Sequence, residues 1–152
     1  RRGAAARSRL QLVHARFAYP GGLPADWGER TRSRLAEALH RHHLHHLPGA
    51  PVYASLGVTG TTILPVELVP GACYVTAVAA IHGAPLGLGL SVGLPEHAGH
   101  AHTDRGAAST ALAFCASETD RATLQVSAHG SGVAWILGLW NVGSIPTGEA
   151  AR

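Results

Sequence analysis

The chain of 152 residues has no methionine, and all 12 of its basic residues are arginine. The missing lysine, beside plentiful Ala, Gly and Arg, suits a GC-rich coding bias rather than a function. The missing initiator is expected of a processed product or an excised segment. Charged residues make up only 14% against 46% apolar, which excludes a wholly disordered polymer, because such a chain is charge-rich and core-poor. The two cysteines, Cys73 and Cys115, form no CxxC or CxxCH, so thiol redox, zinc-ribbon and c-type haem chemistry have no basis. The chain also lacks a GxSxG elbow, a P-loop and an HExxH motif. From these absences the chain is expected not to be an enzyme.

What is present is unevenly placed. Residues 1–48 carry nine arginines against Asp26, Glu29 and Glu37, while residues 49–152 carry three against six acids. The overall +3 therefore joins a basic segment to a mildly acidic body. A nucleic-acid domain shows its basic stripe on the folded body with aromatics interleaved. This body has almost no basic residues, so nucleic acid is not expected as a partner. Cys73 and Cys115 suit one structural disulfide, which points to an oxidising compartment; two buried reduced thiols are the alternative. Together with the missing methionine, the pair predicts an extracytoplasmic protein from which a signal peptide has been removed.

The organisation changes near Pro48-Gly49. Residues 9–19 read as an extended, basic arm ended by Pro20-Gly21-Gly22. Ala25 to Leu47 reads as one amphipathic helix, with Asp26 as N-cap, Glu29 at capping-box spacing, and Leu35, Leu39, Leu44 and Leu47 on one side. From Pro51 the period becomes two. Strands are expected at 52–58, 62–68, 73–81, 86–94, 110–116, 122–128 and 132–142, separated by turns that include His82-Gly83-Ala84-Pro85 and His129 to Gly132. Between Glu67 and Glu96 no side chain is formally charged, a length that would span a bilayer. His-Gly-Ala-Pro interrupts it, so a buried antiparallel hairpin is expected and no membrane span. The prediction is an all-β fold: an antiparallel, jelly-roll-like β-sandwich (49–146) preceded by one α-helix and a basic extended arm (1–48), with a tail at 147–152.

The order LVPGACYVTAV, an alternating strand, a polar loop with Asp, ALAFCASETDRATLQV and then GSGVAWILGLW resembles the bacterial pre-peptidase C-terminal domain and related small jelly rolls. Gly71, Tyr74, Phe114 and Gly132 carry the resemblance, which covers about residues 51–142. It implies an extracytoplasmic, non-catalytic accessory module.

Two histidine clusters are candidate metal ligands. One is the helix end, where His42 and His46, four apart on a helix, would present two imidazoles together. The other is EHAGHAHTD, with His97, His100, His102 and Asp104 able to hold Zn or Cu. A polar helix end and a polar loop are the plain alternatives. Trp135 and Trp140, five apart on a strand, point to opposite faces. Trp135 is assigned to the core and Trp140 to an exposed platform for carbohydrate or a partner. Arg7, Arg9 and Arg16 of the arm complete the candidate interaction set. The expectation is a structural or interaction subunit whose arm and helix dock on neighbouring chains, by self-assembly or with a protein partner. A ligand-binding module, for metal or carbohydrate, is the alternative.

Overall fold

The computed structural model describes residues 19–44, 46–95 and 102–144. The arm residues Arg7, Arg9 and Arg16, together with His97 and His100, lie outside them. A 3-10 turn (Ala25–Trp27) leads into α1 (Glu29–Arg41). Six strands follow: β1 (Tyr53–Val58), β2 (Gly60–Glu67), β3 (Ala72–Gly93), β4 (His102–Gly106), β5 (Ser109–Cys115) and β6 (Arg121–Ser144).

Two of these strands are far longer than expected, 22 residues for β3 and 24 for β6. They pair antiparallel along nearly their whole length. β1 and β2 pair in turn with the two halves of β6, and β5 and β4 with the two halves of β3. The result is a four-stranded ribbon folded across its middle. One layer is β1, 134–139 of β6, 73–79 of β3, and β5. The other is β2, 121–128 of β6, 88–93 of β3, and β4. All pairings are antiparallel, and the fold is the expected jelly-roll-like β-sandwich with one helix.

The expected turns at 82–85 and 129–132 are therefore corrected. Both are bends inside continuous strands, and the expected hairpin over 67–96 is mainly the single bent strand β3. The ladder crosses the bend through register shifts between Ala80 and Gly87. Gly83 (φ 86) and Gly130 (φ 135) take backbone conformations closed to most L-residues. A Cβ on Gly83 would lie 2.2 Å from the Gly132 carbonyl oxygen, and one on Gly130 2.2 Å from that of Ala84. Glycine lets the two backbones press together here while hydrogen bonding resumes on either side. β4, read as a polar loop from sequence, also forms part of the second layer.

Between the layers lies the main core. Tyr74, Val78, Phe114, Trp135, Leu137 and Leu139 from one layer meet Leu88, Leu90, Val92, Leu124 and Val126 from the other. Tyr74 and Phe114 stack at 5.6 Å between centroids. β1 turns its apolar row outward, with Val52 61%, Leu56 66% and Val58 64% exposed. On the inward row, Tyr53 packs against the core, while at Gly57 a Cβ would come within 1.9 Å of the Trp135 indole, which takes that space.

A second core lies under α1. Leu35, Ala38 and Leu39 pack on Val75, Ala77, Ala79, Ala111 and Trp140, the outer face of the first layer. Leu35 and Leu39 are fully buried, each stabilising the helix–sheet contact by about 1.5–3 kcal/mol. Helix and sandwich, separate segments in the sequence reading, thus share one core. The helix boundaries are also corrected. Its N-cap is Gly28 with no side-chain cap, and Asp26 falls in the preceding 3-10 turn. It ends at Arg41, six residues before Leu47. His43 takes a left-handed conformation (φ 56), and Leu44 N–H donates back to the Leu39 carbonyl at 2.8 Å. This is a Schellman closure with Leu44 folded onto the core, and it ends the helix without glycine.

Candidate functional site

α1 covers the outer face of the first layer. The outer face of the second carries no such cover among the described residues. Here β3 alternates Leu86-Gly87-Leu88-Gly89-Leu90-Ser91, with Leu88 and Leu90 in the core and Gly87, Gly89 and Ser91 turned outward. On one side β6 places His129 opposite Gly87, Ser127 opposite Gly89 and Gln125 opposite Ser91. On the other, β4 places Arg105 opposite Gly89 and Thr103 opposite Ser91. Glycines on the middle strand and longer side chains on both flanks make a trough of about 680 Å³.

Its chemistry follows from these side chains. Arg105 supplies a fixed positive charge and several donors, Gln125 an amide, and Ser91, Ser127 and Thr103 hydroxyls. His129 stands at the end nearest the bend. Thr103, Arg105, Gln125 and His129 are exposed. Among the described residues no Phe, Tyr or Trp lines the trough; the one ring is the His129 imidazole at its end. The signal was present in sequence as a strand with leucine on one face and glycine on the other. The matching polar row on β6 was also there, but only the sheet register sets the two side by side.

The histidine candidates are partly brought together. His42, just past α1, bonds through Nε2 to Asp104 Oδ2 at 2.8 Å across 62 residues of sequence. Thr110 on β5 donates to the same carboxylate oxygen. His102 lines the same small cavity of about 270 Å³. Asp104 is about a quarter exposed. Burial by itself raises its pKa; the hydrogen bond from Thr110, the His42 charge and hydrogen bond, and the Arg105 backbone N–H outweigh that and hold the carboxyl below its usual range. His46 does not join them. The helix stops before it, so the four-residue helical spacing to His42 is lost. Among the described residues, no group of three or more His, Cys, Asp or Glu side chains is arranged to hold a metal ion.

Trp140 is not the exposed platform expected. It is 1% exposed and lies beneath the N-terminal segment. Its Nε1–H donates to the Gly22 carbonyl at 2.9 Å, and its ring meets Trp27 edge-on at 6.1 Å. The opposite-face reading of the two tryptophans was right; the missing knowledge was that α1 covers the outer face. The helix likewise spends its apolar side on its own sandwich, so that side is not free for a neighbouring chain. Cys73 and Cys115, directly opposed on β3 and β5, form a disulfide (S–S 2.01 Å). No described helix is long and apolar enough to cross a membrane.

No protein-family model matches the chain, and no curated protein matches it. Among solved structures, it is similar to TmCBM61 in complex with β-1,4-galactotriose, at 16% identity over 59% of this chain and 70% of that one, TM-score 0.38. A structure described as a CBM4 matches at 12% identity over 53% and 60%, TM-score 0.36. RmlC from Streptococcus suis in complex with dTDP-D-xylose matches at 13% identity over 64% and 47%, TM-score 0.37. The chain thus spans between 47% and 70% of these proteins' own lengths. At such scores none of them bears on what this chain binds, and the fold rests on its own strand register.

Proposed function

We propose that this chain is a non-catalytic binding domain that holds an acidic, polyhydroxylated ligand, of the class of acidic oligosaccharides, in the trough on its second layer. The observation that carries the reading is the uncovered face itself: a glycine-floored strand between a guanidinium on one flank and amide and hydroxyl groups on the other. Hydroxyls on both sides suit a ligand rich in hydroxyls. Arg105 suits a carboxylate, which guanidinium recognises through a planar fork. The lack of Phe, Tyr and Trp among the described lining residues disfavours a neutral sugar held by stacking on a broad apolar ring. The disulfide supports an extracytoplasmic placement.

The test is calorimetric titration with uronate-containing and neutral oligosaccharides of equal length, at low and high salt. The acidic series is expected to bind, more weakly as salt rises. Arg105→Ala is expected to weaken that binding by about tenfold or more, since charged hydrogen bonds contribute about 1.5–3 kcal/mol. Equal binding of both series, or acidic binding indifferent to Arg105→Ala, would overturn the reading.

A further inference from the structure

The two flanks of the trough are held unequally. In this layer β6 is paired on both sides, with β3 and with β2. β4 is five residues long, stands at the end of the sheet and, among the described residues, pairs only with β3. A short edge strand is the least secured part of a sheet. Yet β4 carries Thr103 and Arg105, the polar side chains of its flank.

What secures β4 comes from the residue between them. Successive side chains on a strand point to opposite faces. With Thr103 and Arg105 turned to the trough, Asp104 faces the other way, into the small cavity against β5 and the end of α1. There Thr110 donates to its Oδ2, and His42 Nε2 bonds to the same oxygen at 2.8 Å. Thr110 is fully buried and paired with Val78 of β3, so it belongs to the fixed frame of the first layer. Arg41, beside His42, donates to the Ser109 carbonyl at 2.9 Å. It also lies against Gly106, where a Cβ would come 3.1 Å from its Nη2. The end of α1 thus meets the β4–β5 hairpin at two points, and α1 itself is anchored by Leu35 and Leu39 in the second core.

We infer that His42 is a positioning residue for the trough: through Asp104 it fixes β4, and so sets where Arg105 stands across Gly89 from Ser127. The inference rests on the trough as the ligand site proposed above. A guanidinium that recognises a carboxylate through a planar fork needs its place held to about 0.5 Å. One edge ladder holds it less well than a ladder tied also to a buried hydroxyl and a helix end. Coupling is reciprocal, so a ligand closing on Arg105 in turn steadies the His42 contact.

Amide hydrogen exchange of the ligand-free chain, and calorimetric titration with uronate-containing oligosaccharides, test this on the native chain, His42→Ala and His42→Gln. In His42→Ala the amides of residues 102–106 are expected to exchange about tenfold faster. Those of residues 123–128, on the opposite flank, are expected not to change. Affinity is expected to fall about fivefold or more. His42→Gln, whose amide N–H reaches about as far as Nε2, is expected to restore both. Unchanged exchange in β4 would overturn the inference, whatever the ligand does. So would faster exchange spread equally over β4 and β6, which is loss of stability alone, or a glutamine that restores neither property. Faster exchange confined to β4 with affinity intact would overturn the positioning role. A native chain that binds no uronate would overturn the ligand reading instead, and exchange in β4 would still decide whether His42 fixes that strand.

Discussion

Replacing Gly89 by valine separates stability from binding. Gly89 is not among the glycines with positive φ. A Cβ there would lie 3.7 Å from Ser127 Cβ and 3.9 Å from Arg105 Cγ, ordinary contact distances. Glycine inside a strand is less stable than alanine by about 0.5–1 kcal/mol, and valine suits a pleated surface better still. Gly89→Val is therefore expected to stabilise the fold by about 0.5–1 kcal/mol, or up to about 2–4 °C in melting temperature for a domain of this size. The same side chain would stand in the middle of the trough, between Arg105 and Ser127. A ligand in contact with both flanks is expected to lose at least about tenfold in affinity, roughly 1.4 kcal/mol. Urea unfolding and calorimetric titration of one preparation give both numbers. Affinity unchanged by the valine would refute the trough as the site. A loss of stability above about 1 kcal/mol would refute the steric reasoning about its floor.

Other predictions concern what holds the frame. Replacing Cys73 and Cys115 by serine opens a link across 42 residues. The chain-entropy account puts the loss at about 4 kcal/mol, or a urea midpoint lower by about 2 M, and a drop under about 1 kcal/mol would contradict it. Trp140→Ala is expected to cost about 3–5 kcal/mol through the cavity under α1. Trp140→Phe, which leaves the Gly22 carbonyl without its donor, is expected to cost about 1–3 kcal/mol; a ligand platform would instead lose binding at constant stability. Asp104 has its folded pKa below the unfolded one, so its contribution is complete above the unfolded value of about 3.9 and declines as pH falls through and below it. Unfolding free energies measured down the acid range should fall more steeply for the native chain than for Asp104→Asn. Parallel curves would remove the Asp104 contact from the account.

Several features were legible because they are local. Alternation of apolar and small residues marks strands wherever the partner lies, which is why the expected strand at 86–94 holds as far as Gly93 and Val133 to Leu139 reads as strand. The same two-residue period put Trp135 and Trp140 on opposite faces. The helix was legible from its leucine spacing, though its end was not. A Schellman closure at His43 needs a left-handed residue that is usually glycine, and histidine gives no such signal. The glycines at 83, 130 and 132 carried an ambiguous one, since a chain reversal and a bulge inside a continuous strand ask the same φ of the backbone. Their role depended on whether the strand beside them bent at the same place, and only the β3–β6 pairing shows that it does.

The sequence alone thus determined the period of each segment, the one possible cysteine pair and the division of charge between a basic N-terminal part and the body. Tertiary structure decided which faces are covered. α1 lies over Trp140 and takes it from solvent, the Trp135 indole takes the inward space at Gly57 of β1, and the sheet register sets Arg105 and Gln125 on either side of a glycine floor. These outcomes depend on contacts between residues tens of positions apart. Local propensity carries no information about them, because the free energy of covering a face belongs to both surfaces that meet there.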